Sequence, residues 1–409
     1  MNVFVGLLGA IALFLFAWFL SSDKKKINWR TVIVAFALQV CLGAFVIYVP
    51  FGKALVSGMS SIVTDLLEQS KSGAQFVFSD LADEKSSFYF AFQVLPVIVF
   101  FSSLVSVLYH YGIMQFLIRT IGGWLQFLLR TSRTESMVAA ANMFLGITES
   151  PLTVKPYLLS MTRSQLFAVM VCGLSSVAGS VLAGLVAMGI SLDYLITAAV
   201  MAAPGGLMMA KLLEPETDLA TNESSQSKEA DVVVEKSSNV FEAATNGASS
   251  GLALCLNIAA MLIAFIGIIA LLNFILGWVT SLVGFSGMTV QVLLGWVFSP
   301  IAILLGVQPS EANVVASLMG QKVIFNEFVA FADFVQLKET LSIKSQAIAT
   351  FALCGFANFS SIGIMLGGLS IMAPSRKPEV AKLSLRALIA ATMANFMSAA
   401  IAGIFIQFA

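Results

Sequence analysis

Two glutamates, Glu149 and Glu327, each lie in a stretch that is otherwise apolar. The first stretch, 136–164, reads SMVAAANMFLGITESPLTVKPYLLSMTRS; the second, 311–335, reads EANVVASLMGQKVIFNEFVAFADFV. If such segments sit at membrane depth, each charge costs roughly 2.5–3.5 kcal/mol. Something must offset that cost. A lysine in the same segment, Lys155 or Lys322, could do so by pairing for packing alone. A carboxylate facing a wet cavity could instead bind a polar substrate, the usual role of an intramembrane acid.

Each segment is followed by a second polar interruption. Cys172-Gly173-Leu174-Ser175-Ser176-Val177-Ala178-Gly179-Ser180 breaks one apolar run, and Cys354-Gly355-Phe356-Ala357-Asn358-Phe359-Ser360-Ser361 breaks another. Small and hydroxyl residues also serve close helix packing in membranes. Here Asn358 and the paired serines coincide with a glycine-marked break, where unwound carbonyls can coordinate a cation. Phe356 fits a core position or a stacking contact with a ring-shaped substrate.

The elements that must position these groups follow from composition. The chain has 409 residues, 58% hydrophobic and 11% charged, with mean hydropathy +0.93. Soluble domains carry about 25% charged residues, so water is not the main solvent. Apolar stretches of spanning length run near 3–20, 31–49, 88–109, 166–188, 194–213, 252–275, 346–371 and 380–408. Eight spans put both termini on one side. The basic clusters Lys24-Lys25-Lys26 with Arg30, and Arg376, Lys377, Lys382 and Arg386, then face the cytoplasm, with both termini outside. The apolar N-terminal run starts uncharged, at Met1-Asn2-Val3, and precedes its basic cluster, so it reads as a retained span.

Segments 136–164 and 311–335 are too broken to span and too apolar for solvent. They read as re-entrant helical hairpins, tolerated only where protein or a wet cavity satisfies the backbone. Each follows an apolar or amphipathic stretch (112–130 and 288–306), and each precedes an interrupted span. The order therefore occurs twice, entering from opposite sides. Such inverted repeats point to a secondary transporter with its site at the midplane. The expected architecture is an all-α membrane protein, eight transmembrane helices plus two re-entrant hairpins, with both glutamates facing one cavity. Residues 1–109 supply scaffold spans, 110–213 the first repeat, 247–287 a further scaffold span and 288–409 the second repeat. Segment 50–87 reads as polar and extracytoplasmic. Segment 214–246, charged and serine-rich, reads as a mobile cytoplasmic loop.

Other classes fare poorly. The 22 basic and 22 acidic residues cancel, leaving no basic patch for nucleic acid. His110 is the single histidine, and Cys41, Cys172, Cys255 and Cys354 are scattered through apolar runs. No metal spacing, nucleophile–base pair or cofactor motif is visible, which argues against an enzyme. A channel filter is a further alternative, but the hairpins lack a carbonyl-rich glycine repeat.

Taken together, Gly146-Ile147-Thr148-Glu149-Ser150-Pro151, Ser176-Val177-Ala178-Gly179 with Val181, Asn326-Glu327-Phe328-Val329-Ala330 and the 354–361 run resemble the concentrative nucleoside transporter family, in its short bacterial form. The resemblance covers nearly the whole chain. It implies a homotrimer in the bacterial inner membrane, importing nucleosides by alternating access with sodium, or alternatively protons, as coupling ion. It implies that Thr148 and Glu149 meet the nucleobase with Val181 and Phe356 packing against it, and that Glu327, Asn358 and Ser361 take the ribose hydroxyls. For sodium it implies side-chain oxygens from Asn142 and Ser176 and backbone carbonyls of Leu145 and Val177. The family pattern commonly has Gln where this chain has Ile147, so altered or relaxed base discrimination is expected.

Overall fold

The structure, a computed structural model, describes residues 2–83, 88–217, 237–282, 284 and 287–406. Every regular element among them is helical. The chain opens with α1 (Asn2–Phe19) and α2 (Trp29–Tyr48), the latter started by Asn28, whose side chain accepts from the Thr31 N–H at 3.3 Å. The next element, α3 (Pro50–Phe78), differs from the polar segment expected there. It is a 29-residue amphipathic helix that buries Gly52, Val56, Leu67, Ser70 and Ala74 along one side. Scattered serines and charges on its other face mask that periodicity in the composition.

After α4 (Phe90–Gln93) and α5 (Leu95–His110) comes α6 (Ile113–Leu129), which buries Met114, Ile118, Gly122, Leu125 and Leu129. That three-and-four spacing is one helix face. The first broken unit then follows. It has α7 (Arg133–Ala141), an irregular tip over 142–149, and a 3-10 segment Ser150–Tyr157 kinked at Val154. Pro151 and Pro156 explain the short return arm, since each removes a backbone donor. The interrupted pair α8 (Arg163–Ser175) and α9 (Gly179–Ala187) comes next, then α10 (Leu192–Leu213).

The second half begins with α11 (Val240–Ser281), 42 residues long. It enters the segment read as loop: Asn239 caps it by accepting from the Glu242 N–H at 2.9 Å, so polar residues 240–246 are its first turns. The remainder of that expected loop, 218–236, lies outside the described residues. A bend of 116° separates α12 (Val290–Leu304) from α13 (Pro309–Ile324). Gly306 takes φ +97° at this bend, a conformation that a side chain disfavours. The second broken unit continues with α14 (Glu327–Leu337), then α15 (Ile343–Leu353) and α16 (Phe359–Met372), and closes on α17 (Lys377–Ile406).

The eight spans read from composition are not all continuous helices. The stretch 346–371 divides at 354–358 into α15 and α16, and 166–188 divides at 176–178. Six helical stretches among the described residues are long and apolar enough to cross a bilayer, or seven if the bent pair counts as one. Their packing shows which solvent the molecule has. The α8–α9 pair and α10 are 94% buried over their most apolar windows, whereas α11, more apolar still, is 11% buried. Helices that expose their most apolar surface outward are solvated by lipid.

Charge gathers at one end of this core. Lys211 of α10 pairs with Glu135 of α7 and donates to Ser164 Oγ at 2.9 Å. Glu214 accepts from Arg163 at 3.2 Å and forms an ion pair with Arg386 at the same separation. Arg386 also donates to the Leu20 and Leu213 carbonyls. This network ties the root of the first broken unit to α8, α10 and α17.

Candidate functional site

At the first tip, α7 ends at Asn142 and the chain turns on itself. The Glu149 and Ser150 N–H groups both donate to Gly146 O, at 3.1 and 3.0 Å. The Gly146 N–H donates in return to Glu149 Oε2 at 3.3 Å, which leaves the carboxylate further lone pairs. Glu149 is exposed to a cavity of about 550 Å³ that it shares with Tyr109, Lys155, Ser180 and Asn246. That volume falls within the ~300–1,000 Å³ usual for small-molecule sites.

The tip lies against the first helix break. The Gly179 N–H donates to Phe144 O at 2.9 Å, and a Cβ on Gly146 would sit 3.7 Å from Ala178 Cβ. The tip segment that carries Asn142 and Leu145 and the break that carries Ser176 and Val177 are therefore brought together, and all four residues are buried. Ser176 is extended (φ −122°, ψ 174°), so the carbonyls here are released from helical bonding. The Asn142 Nδ2 is buried without a protein partner. These neutral oxygens suit a monovalent hard cation, and no cluster of three or more His, Cys, Asp or Glu that would suit a divalent metal occurs among the described residues.

Ile147 faces elsewhere. Its side chain is buried against Gly173 of α8, where a glycine Cβ would come within 3.3 Å of Ile147 Cγ1. Thr148 packs toward Gly368 of α16, and Val181 is fully buried in α9.

At the second tip, Asn326 caps α14 by accepting from the Val329 N–H at 2.9 Å, which places Glu327 in the first turn. That turn favours a negative charge. Asn358 caps α16 in the same manner, accepting from the Ser361 N–H at 2.8 Å. Its Nδ2 donates to Glu327 Oε2 at 2.9 Å, and Ser360 Oγ donates to its Oδ1 at 2.7 Å. Glu327, Asn358 and Ser361 thus form one buried polar group, with Phe356 half-buried in the break beside them. Glu327 is not among the residues that line the cavity Glu149 lines, so the two carboxylates do not face one cavity here as the sequence suggests.

The two breaks are joined directly. The Phe356 N–H donates to Ser176 O at 3.2 Å. Asn395 of α17 donates through Nδ2 to Ser175 O at 2.6 Å and to Cys354 O at 3.1 Å, while its Oδ1 accepts from Lys322 Nζ at 2.9 Å. Sequence reasoning missed Asn395. It stands in the middle of a 30-residue helix with no glycine or proline beside it, and its partners are distant in sequence.

Models of the Na+ dependent nucleoside transporter N-terminus and C-terminus match residues 8–81 and 194–403, and a nucleoside recognition "Gate" model matches 91–192. The nucleoside permease NupC of Helicobacter pylori is 45% identical over 97% of this chain and 96% of its own length. An uncharacterised transporter of Haemophilus influenzae is 48% identical over 99% and 98%. An inward-facing, substrate-bound structure of CNTnw superposes with TM-score 0.94 at 48% identity, covering 100% of this chain and 99% of that one.

Proposed function

Since the chain belongs to the concentrative nucleoside transporter family, a group of multi-pass membrane transporters and not of enzymes, we propose that it imports nucleosides by sodium symport. The observation that carries this reading is the Glu327–Asn358–Ser361 group at the second break. A carboxylate and an amide held 2.9 Å apart offer acceptors and a donor to the vicinal hydroxyls of a ribose. Thr148 and Glu149 then meet the base, with Val181 and Phe356 packing beside it. Ile147 contributes no polar contact, so base discrimination is relaxed.

Sodium binds through Asn142, Leu145, Ser176 and Val177, between the first tip and the first break. Binding there orders the tip that carries Glu149, and so couples ion to substrate. An inside-negative potential adds about 2.3 kcal/mol per charge per 100 mV. In this reading the two broken units are re-entrant hairpins among eight spans. The protein is a homotrimer in the bacterial inner membrane with both termini outside.

The test is uptake of radiolabelled uridine into proteoliposomes. An inward sodium gradient should drive accumulation, and choline replacement should abolish it. Asn142→Leu should raise the sodium concentration needed for half-maximal uptake. Accumulation driven by a pH gradient without sodium overturns the sodium assignment in favour of proton coupling.

A further inference from the structure

Lys322 is a fully buried lysine in the last turn of α13, five residues before Glu327. An ammonium withdrawn from water is costly unless opposite charge or oriented dipoles replace the lost hydration. Three such sources converge on it. Its own helix ends there, and helix C-termini carry partial negative charge. The last carbonyl of α8, Ser175 O, and that of Cys354, the residue closing α15, lie on the far side of the Asn395 amide. The third is the carboxylate of Glu327, five residues further along the chain and likewise buried.

The amide between them has one workable orientation. An ammonium only donates, so Asn395 must turn Oδ1 toward Lys322. Both Nδ2 hydrogens then point at the two helix-end carbonyls, at 2.6 and 3.1 Å. The fit leaves no slack, since a Cβ at Gly355 would meet Asn395 Oδ1 at 2.4 Å.

We propose that Lys322 is a positioning residue, a fixed cation that orients Asn395 across both helix breaks and holds the Glu327 carboxylate ready for substrate. In this account the first tip waits for a mobile cation from solution, whereas the second carries its own. The ribose half of the site is therefore built without an ion, and ion dependence resides in the first tip. The inference rests on the reading that Glu327 serves the sugar.

The experiment compares KM for uridine and 2′-deoxyuridine at saturating sodium in wild type, Lys322→Met, Lys322→Arg and Glu327→Gln. Lys322→Met should raise the uridine KM about tenfold or more, with the uridine preference over 2′-deoxyuridine falling toward one. Lys322→Arg keeps the charge and should retain most of that preference. A Lys322→Met protein with wild-type KM and preference overturns the inference, as does a Lys322→Arg protein as impaired as Lys322→Met. If Lys322→Met fails to reach the membrane, Asn395→Asp carries the test. It keeps an acceptor for Lys322 and removes the donors to Ser175 and Cys354. It should lose the same preference, and wild-type behaviour overturns the inference. Glu327→Gln separates the two levels. Wild-type uptake by that variant refutes the site itself, whereas its loss beside an unimpaired Lys322→Met refutes only the role given to Lys322.

Discussion

Gly355→Ala is a one-carbon change at the junction of the two helix breaks, and its effect can be worked from the contacts. The added Cβ would lie 2.4 Å from Asn395 Oδ1 and 2.8 Å from Nδ2. Neither distance is tolerable, and Asn395 is short and held at both ends, so it must move. Moving it breaks the bonds to Ser175 O and Cys354 O and strains the one from Lys322. At about 1 kcal/mol net per hydrogen bond, plus about 1–3 kcal/mol for overpacking, the cost is roughly 3–5 kcal/mol. Gly363→Ala on α16 is the control, because a Cβ there meets nothing within 4 Å. It should be neutral or stabilise the helix by about 0.5–1 kcal/mol. Thermal unfolding of the detergent-solubilised protein, followed by tryptophan fluorescence, reads both variants on one scale. Gly355→Ala should melt several degrees below wild type and Gly363→Ala at or above it. Equal melting of the two variants would refute the claim that Asn395 clamps the breaks.

Two further outcomes follow from the same contacts. Lys211→Met leaves Glu135 buried without its partner and should destabilise the protein by about 3–5 kcal/mol, whereas the double variant with Glu135→Gln should recover much of that in the same melt. With the proposed ribose site at Glu327 and Asn358, 2′-deoxyuridine would leave an acceptor unpaired, so its KM should exceed that of uridine by roughly 5- to 150-fold, from about 1–3 kcal/mol; competition against labelled uridine measures the ratio.

The parts of this architecture that were legible in the sequence are those where local chemistry conflicts with its surroundings. Glu149 and Glu327 stand out because a charge in an apolar run is costly, and the breaks at 176–178 and 354–358 stand out because glycine, serine and asparagine interrupt the apolar pattern. Capping residues such as Asn326 and Asn358 serve helix starts that the breaks demand. What stayed hidden depends on tertiary contact. Asn395 looks like one polar residue in a long apolar helix, and its significance comes from carbonyls 220 and 41 residues away. The start of α11 was masked by polar composition that the Asn239 cap converts into helix. The amphipathic face of α3 was diluted by serine and glycine on its exposed side. Glu214 fell in a segment read as loop, yet it is buried between two arginines.

The central claim is that a nucleoside is carried and that Glu327 holds it. Its most direct test is sodium-driven uptake of radiolabelled uridine by proteoliposomes bearing wild-type protein or Glu327→Gln, each checked for equal reconstitution. Wild type should accumulate uridine saturably above the bath concentration, and Glu327→Gln should take it up only at the level of empty liposomes. Accumulation by the variant with the wild-type KM would contradict the claim.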